Sequence, residues 1–431
     1  MENELLNAVI TSYSFDYRYA EWREINEDIL QDEKTPSEVL DKLYEDNKDN
    51  LRMLRALSAH PNASASLIKT LSGDINDAVR WGIADNRATD PDILEILSID
   101  NVEIIRYRVA QNPNTPTRII QRLAEDPNIL IRSGAATNVF APDDVLMKLA
   151  KDPDKTVRIE VAQNKNTPAD ILEILAEDPD GDVREKVAQN PNATESILLT
   201  LSTDRDLDVR EKVALNRNTP SEALKELLYD NEAAVREGVG TNSHTPQEYL
   251  AILAGDMKQS IRSSVAGNSG ASGEILEKLA VDDDGYVRKA VARNEKTSEP
   301  VLTTLAKDTD WRVCEGVANN PAAPAKLLQY LSINPDTYLR KAVASNRSTP
   351  TDVLLQMADD REWMVRENVT MNPNAPLEAL MKLADDDDWR VAKHVISNPN
   401  MTAEGLRILA DHTNYRIRYK ARVALLRNDA K

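Results

Sequence analysis

The chain has 431 residues, a formal net charge of -19, one cysteine and few aromatics (4%) within an apolar share of 41%. That charge disfavours phosphate backbones and anionic membranes, and one cysteine excludes an internal disulfide framework or a Cys-rich metal site. No run approaches the roughly 20 apolar residues of a membrane span, and the opening MENELLNAVITSYSF lacks a basic start followed by an apolar run, so a cytoplasmic protein is expected.

Residues 1–33 match nothing downstream and hold Tyr13, Phe15, Tyr17, Tyr19 and Trp22. A stack of repeats must cover its first apolar face, so this stretch is expected to be an N-terminal cap. TPSEVLDKLYEDNKDN, from Thr35, reads as half of a repeat with a lengthened loop. Repeats then fill residues 34–415. The unit VREKVAQNPNATESILLTLSTDRDLD, 183–208, is followed at Val209 by VREKVALNRNTPSEALKELLYDNEAA, a step of 26 residues. This register runs unbroken from about 54 to 418, giving about fourteen repeats. A strict short period overrides the domain count suggested by length, because each unit contacts only its neighbours. Residues 416–431 leave the register and are expected to form a C-terminal cap.

Within one repeat, Thr167-Pro168-Ala169-Asp170 reads as a helix start. Thr is expected to be the N-cap, Pro suits the next position, and Asp favours the positive end of the helix dipole. Ile171, Leu172, Leu175 and Ala176 then fall on one helical stripe. Asp178-Pro179-Asp180 turns the chain into a second helix, roughly Asp182 to Gln189, with Val183 and Val187 on its buried face. Pro191 forces Asn190 into an extended conformation. Two helices in 26 residues leave little slack. The second is expected to be short, and one of the two to run little more than two turns, partly as 3₁₀ helix. The fold class is all-α, an α-solenoid.

Two polar columns accompany the aliphatic ones. An asparagine recurs from Asn86 to Asn398, with His60 in the equivalent slot one repeat earlier. An amide has two donors and two acceptors, so the column reads as a ladder between repeats rather than a row of ligand contacts. An arginine recurs from Arg80 to Arg418, replaced at two slots by Cys314 and Ala392, and an aspartate stands six residues before most of them. These charges read as ion pairs between repeats.

Function is best sought where repeats differ. Trp311, Trp363, Trp389 and Tyr415 share one column, with Arg312 and Arg390 beside two of them and Asp308, Asp310, Asp360 and Asp386 in the same loops. Aromatics ringed by acids would suit a basic or mixed peptide. The alternative is that each Trp packs its own loop. Trp81 and Phe140 are isolated departures. His60, His244, His394 and His412 show no ligand spacing, and no phosphate loop, nucleophile elbow or HExxH occurs. No catalytic, cofactor-binding or metal-binding residue is therefore assigned. Cys314, in an arginine slot beside the core, is expected to be inert.

The pattern V-R-x-x-V-A-x-N-x-x-T-P-x-x-x-L-x-x-L-A-x-D, over about residues 34 to 424, resembles the leucine-rich repeat variant family, with HEAT-like solenoids as looser relatives. The resemblance implies a right-handed superhelix of alternating α and 3₁₀ helices, and no defined activity. Some members carry a Cys-ligated iron–sulfur domain, which Cys314 alone cannot supply. The expectation is a non-enzymatic scaffold of bacterial type that binds a protein or peptide along its surface. The other reading is a HEAT-like solenoid enzyme or nucleic-acid-processing protein with a local cleft.

Overall fold

In the computed structural model, residues 30–429 are described, and no strand occurs among them. The expected cap at residues 1–33 therefore lies almost wholly outside the described residues. The chain divides into two compact halves, Met1–Ile197 and Leu198–Lys431. Each half is a stack of two-helix repeats, an α-solenoid. The second helices pack chiefly on the second helix of the next repeat, and the first helices pack behind them.

The lengths reverse the expectation. First helices are the short ones, as in Thr117–Leu123 and Ser221–Leu227, with seven residues each. Second helices have nine, as in Lys155–Gln163 and Gly285–Arg293. Both keep α geometry. The 3₁₀ expectation is met among the described residues only at Val395–Ser397, behind the shortened helix Trp389–Ala392. The reason lies in the caps. Asp180 accepts from the N–H of Asp182, starting Gly181–Gln189 early, and the helix runs until Asn190 turns extended.

The Thr-Pro starts also work differently from the expectation. In Ala169–Ala176 the N-cap residue is Pro168, with no side-chain cap. Thr167 instead donates its hydroxyl 2.6 Å to the carbonyl of Val161, near the end of the preceding second helix. Thr245, Thr297 and Thr349 make the same bond to Val239, Val291 and Val343. Thus threonine satisfies one of the carbonyls a helix leaves open at its C-terminus. Thr297 does so although Ser298 follows it, and in the repeat where the proline slot itself holds threonine, Thr402 caps by accepting from the N–H of Gly405.

The core is aliphatic throughout. Leu172, Val183, Val187 and Ala188 expose no surface. Each buried leucine contributes about 2 kcal/mol, repeated at every step. Close approach of second helices demands small side chains. A Cβ on Gly316 would lie 2.9 Å from Ala292 Cβ and 3.0 Å from the carbonyl of Lys289.

Candidate functional site

The asparagine column is a buried ladder. Asn190 Nδ2 donates to the carbonyls of Ala162 and Asn164 at 2.7 and 3.0 Å, and its Oδ1 accepts from the N–H of Asn192 at 2.9 Å. In the second half, Asn268 does the same to Gly240, Asn242 and Gly270. Each amide closes the C-terminal end of the neighbouring second helix and the turn that follows it. His60 occupies its slot differently: its Nδ1 accepts from the N–H of Asn62, while Nε2 faces the carbonyl of Asp32.

The arginines form ion pairs between repeats, but the carboxylate is not that of the aspartate six residues earlier, with which the sequence pairs them. The aspartate six residues earlier supplies only its backbone: Arg262 Nη1 donates to the carbonyl of Asp256 at 2.9 Å. The carboxylate comes from twenty residues later. Arg262 Nε and Nη2 fork onto Asp282 at 2.6 and 2.9 Å, and Asp282 Oδ1 also accepts from the N–H of Asp284. Arg158 and Asp178 repeat the arrangement in the first half. The Arg262 hydrogen bond, opposed by partial burial, holds Asp282 below the usual carboxylate range, and Arg288 does so for Asp308.

This ladder is interrupted twice, and each time both partners change. Cys314 replaces an arginine, and the position twenty residues later is Asn334, which keeps the turn bond to the N–H of Asp336. The thiol sits 3.4 Å from the carbonyls of Ala306 and Asp308. Burial pushes it above its ordinary value, which makes it a poor nucleophile. Ala392 likewise faces a repeat whose aspartate slot holds His412, whose Nδ1 accepts from the N–H of Asn414. A half-buried carboxylate without its guanidinium would be costly, so both members of the pair are replaced together.

The aromatic column stands at the starts of second helices in this same stretch. Trp311 is 50% exposed and Tyr338, one position on in the next repeat, is 61% exposed. Trp363 and Trp389 are half-buried, and cations lie over both rings. Arg390 lies 3.6 Å from the Trp363 ring centroid, and Arg416 and Lys420 lie 5.1 and 5.6 Å from that of Trp389. Arg312 covers Tyr286 at 4.4 Å. Tyr415 opens the helix Tyr415–Asp429, and its side chain lies outside the described residues.

The predicted acids divide into two kinds. Asp308, Asp360 and Asp386 receive Arg288, Arg340 and Arg366, so their carboxylates belong to the ladder. Asp310 caps Trp311–Asn319 and pairs with Arg312 at 2.8 Å. Asp388 does the same with Arg390, which lowers its carboxyl to about 2. What the sequence reading missed is that the column of arginines at Arg312, Arg390 and Arg416 follows the aromatics by one repeat. The spacing was visible in the register.

Two grooves lie on second helices. Trp81, whose ring Arg108 covers at 5.0 Å, borders one with Leu51, Arg55 and Ala78. Tyr286 borders the other, about 490 Å³, with Glu237, Thr241, Ser260, Ser263 and Ser264. Phe140 is 63% exposed in its loop. Among the described residues no helix is long and apolar enough to cross a membrane, and no cluster of His, Cys, Asp and Glu could hold a metal ion.

The family described as "Leucine rich repeat variant" matches residues 156–180, one repeat of this register. No curated protein matches the chain. Among solved structures, the chain is similar to a leucine-rich repeat variant with a novel repetitive protein structural motif, at 27% identity. That match covers 52% of this chain and 88% of that one, with a TM-score of 0.37. It is also similar, at 12% identity and over 93% of its length, to Kap121p bound to Nup53p and to Kap95p with RanGDP, with TM-scores of 0.28 and 0.29. The match spans 48% and 60% of those two chains.

Proposed function

We propose that this chain, whose repeats are of the leucine-rich repeat variant type, is a non-enzymatic scaffold that holds a protein or peptide segment on second helices of its C-terminal part. The observation that carries this reading is the pair Trp311 and Tyr338, each at least half exposed at the starts of consecutive second helices. Aromatic side chains at this exposure are the groups that anchor protein interfaces. Fixed spacing of the repeats holds them at a constant interval, which suits an extended partner. The arginines stacked on Tyr286 and Trp363 add directional donors on the same face.

The test is parallel capture from the source cell with the full chain and with a Trp311→Ala/Tyr338→Ala variant. A partner retained by the first and lost by the second, at unchanged melting temperature, supports the reading. A partner held equally by both overturns it.

A further inference from the structure

We propose that the groove at Trp81 is filled by the chain's own residues 13–19. This groove, about 540 Å³, lies between the second helices Leu51–Ala59 and Asp77–Asp85. Leu51, Ala56, Ala78 and the Trp81 ring give it an apolar lining, with Arg52 and Arg55 as its charged members. Leu51 is 43% exposed. Later repeats place charge where this one places a ring: Glu185, Glu211 and Glu237 stand in the column of Trp81. An open apolar groove at the start of a stack calls for a cover, and the residues that precede it in the chain are the nearest source.

Pattern, reach and chemistry identify the cover. Tyr13, Phe15, Tyr17 and Tyr19 alternate with Ser14, Asp16 and Arg18. Extended backbone with that spacing carries four rings on one side and polar groups on the other. The described chain begins beside the groove. The carbonyl of Asp32 lies 3.2 Å from Nε2 of His60, the residue that ends Leu51–Ala59, and Asn62 Nδ2 donates to the carbonyls of Glu33 and Thr35. From there the groove is about 15 Å away, half a short helix along and one helix spacing across. Eleven residues lead from Tyr19 to Leu30. They span about 17 Å as a helix and about 36 Å extended, so either way the rings reach the groove.

The chemistry follows a habit of this chain. Arg108 lies over Trp81 at 5.0 Å, Arg312 over Tyr286 at 4.4 Å and Arg390 over Trp363 at 3.6 Å. In each case the ring comes from the repeat before. Arg55 is exposed, and neither an ion pair nor a ring contact to it occurs among the described residues. Acids do not take it: Asn50 and Asn76 cap these two helices where Asp154, Asp180 and Asp206 cap later ones. Asp85 pairs with Arg108 at 3.4 Å, and Asp49 and Asp77 stand outside the lining. A ring of the preceding segment, seated in the groove, gives Arg55 the partner that Trp81 gives Arg108.

The test uses the full chain, its Phe15→Ser/Tyr17→Ser variant and a labelled peptide of residues 9–23, read by fluorescence anisotropy. A tethered segment competes with free peptide at an effective concentration near millimolar, so the peptide should bind the variant at least about tenfold more tightly than the unaltered chain. Adding Arg55→Glu to the variant should weaken that binding about threefold to tenfold, and adding Trp81→Ala should abolish it at unchanged helix content. Equal binding to the unaltered chain and the variant, or to neither, would overturn the proposal. Binding that neither added change affects would place the segment on the end of the stack and overturn it too. An unaltered chain that sediments as a dimer, beside a monomeric variant, would assign the groove to this segment of a second copy and overturn the intramolecular contact. If the variant does not fold, limited chymotrypsin digestion decides. Cleavage at residues 13–19 that is slow in the unaltered chain and fast in Arg55→Glu supports the proposal, and equal rates overturn it.

Discussion

The repeats from Ile129 to Asp308 and those from Trp311 to Asn414 share one set of amides but differ in their ion pairs. In the former stretch the arginine column is unbroken, and carboxylates such as Asp152, Asp256 and Asp282 each accept a guanidinium. In the latter, two seams lose both partners, Cys314 with Asn334 and Ala392 with His412, while Asn320, Asn346 and Asn372 bond as before. The difference separates the two columns by role. Amides satisfy backbone groups that nothing else reaches, so every repeat keeps one. The ion pairs can be removed provided both charges leave together. Trp311 and Trp389 open the two helices that lack the ladder arginine, whereas Trp363 opens one whose Arg366 still pairs with Asp386.

The largest expected effect tests whether the amides are equivalent in both stretches. Asn268→Ala strands the carbonyls of Gly240 and Asn242 and the N–H of Gly270. It should cost about 2–4 kcal/mol in urea unfolding followed by circular dichroism. Asn372→Ala should match it within about 1 kcal/mol. A much smaller loss at Asn372 would mean that the ladder loosens along with the ion pairs.

An intermediate effect sharpens the rule that charges leave in pairs. Asn334→Asp places a carboxylate opposite Cys314, with no cation to receive it, and should cost about 1–2 kcal/mol. Adding Cys314→Arg should recover that loss, because the new guanidinium would find the carbonyl of Asp308 now faced by the thiol. Failure of the second change to rescue the first, measured by thermal melting, would show that this seam has repacked around its neutral pair.

The smallest effect is one of pH. Arg262 and Arg288 hold the folded-state carboxyls of Asp282 and Asp308 below the ordinary 3.8. Ionisation therefore favours the folded chain. That contribution is fully present above the unfolded value of about 3.9 and is lost as pH falls through the lower folded values. The urea midpoint should stay level from neutrality to about pH 5 and drop below about pH 4. Asp282→Asn should lower the plateau and lessen the acid-side drop. An unchanged drop would place acid sensitivity outside the ladder.

Much of this was legible from the register. The aliphatic columns at Leu172 and Val187 gave the buried faces, and the constancy of asparagine gave the ladder. Helix lengths were not legible, because Val183 and Val187 mark a face and say nothing of ends. Those ends are set by Asp180 and Asn190, through bonds that local sequence offers in several equivalent ways. Thr167 was misread for a similar reason: its hydroxyl could serve the helix after it or the helix before it, and because the cap position is the next residue, the hydroxyl bonds back, at Thr297 before Ser298 as at Thr167 before Pro168. The partner of each arginine was hidden by the period itself. An aspartate six residues back and one twenty ahead occupy the same column, and only packing distinguishes them. The aromatic column was found, but its cover was not, since Arg390 reaches Trp363 from the next repeat.

The amide bonds have a direction. Within each half, Nδ2 of Asn190 and of Asn268 donates back to carbonyls that precede it by 26 and 28 residues, while Oδ1 bonds only within its own turn. A ribosome delivers the chain in that same order. Each hairpin that emerges during synthesis thus finds its acceptors already in place, and the aspartate it brings meets an arginine waiting on the hairpin before it. Growth of the array can keep pace with translation, and an array cut short at a repeat boundary on its C-terminal side exposes acceptors that water readily serves.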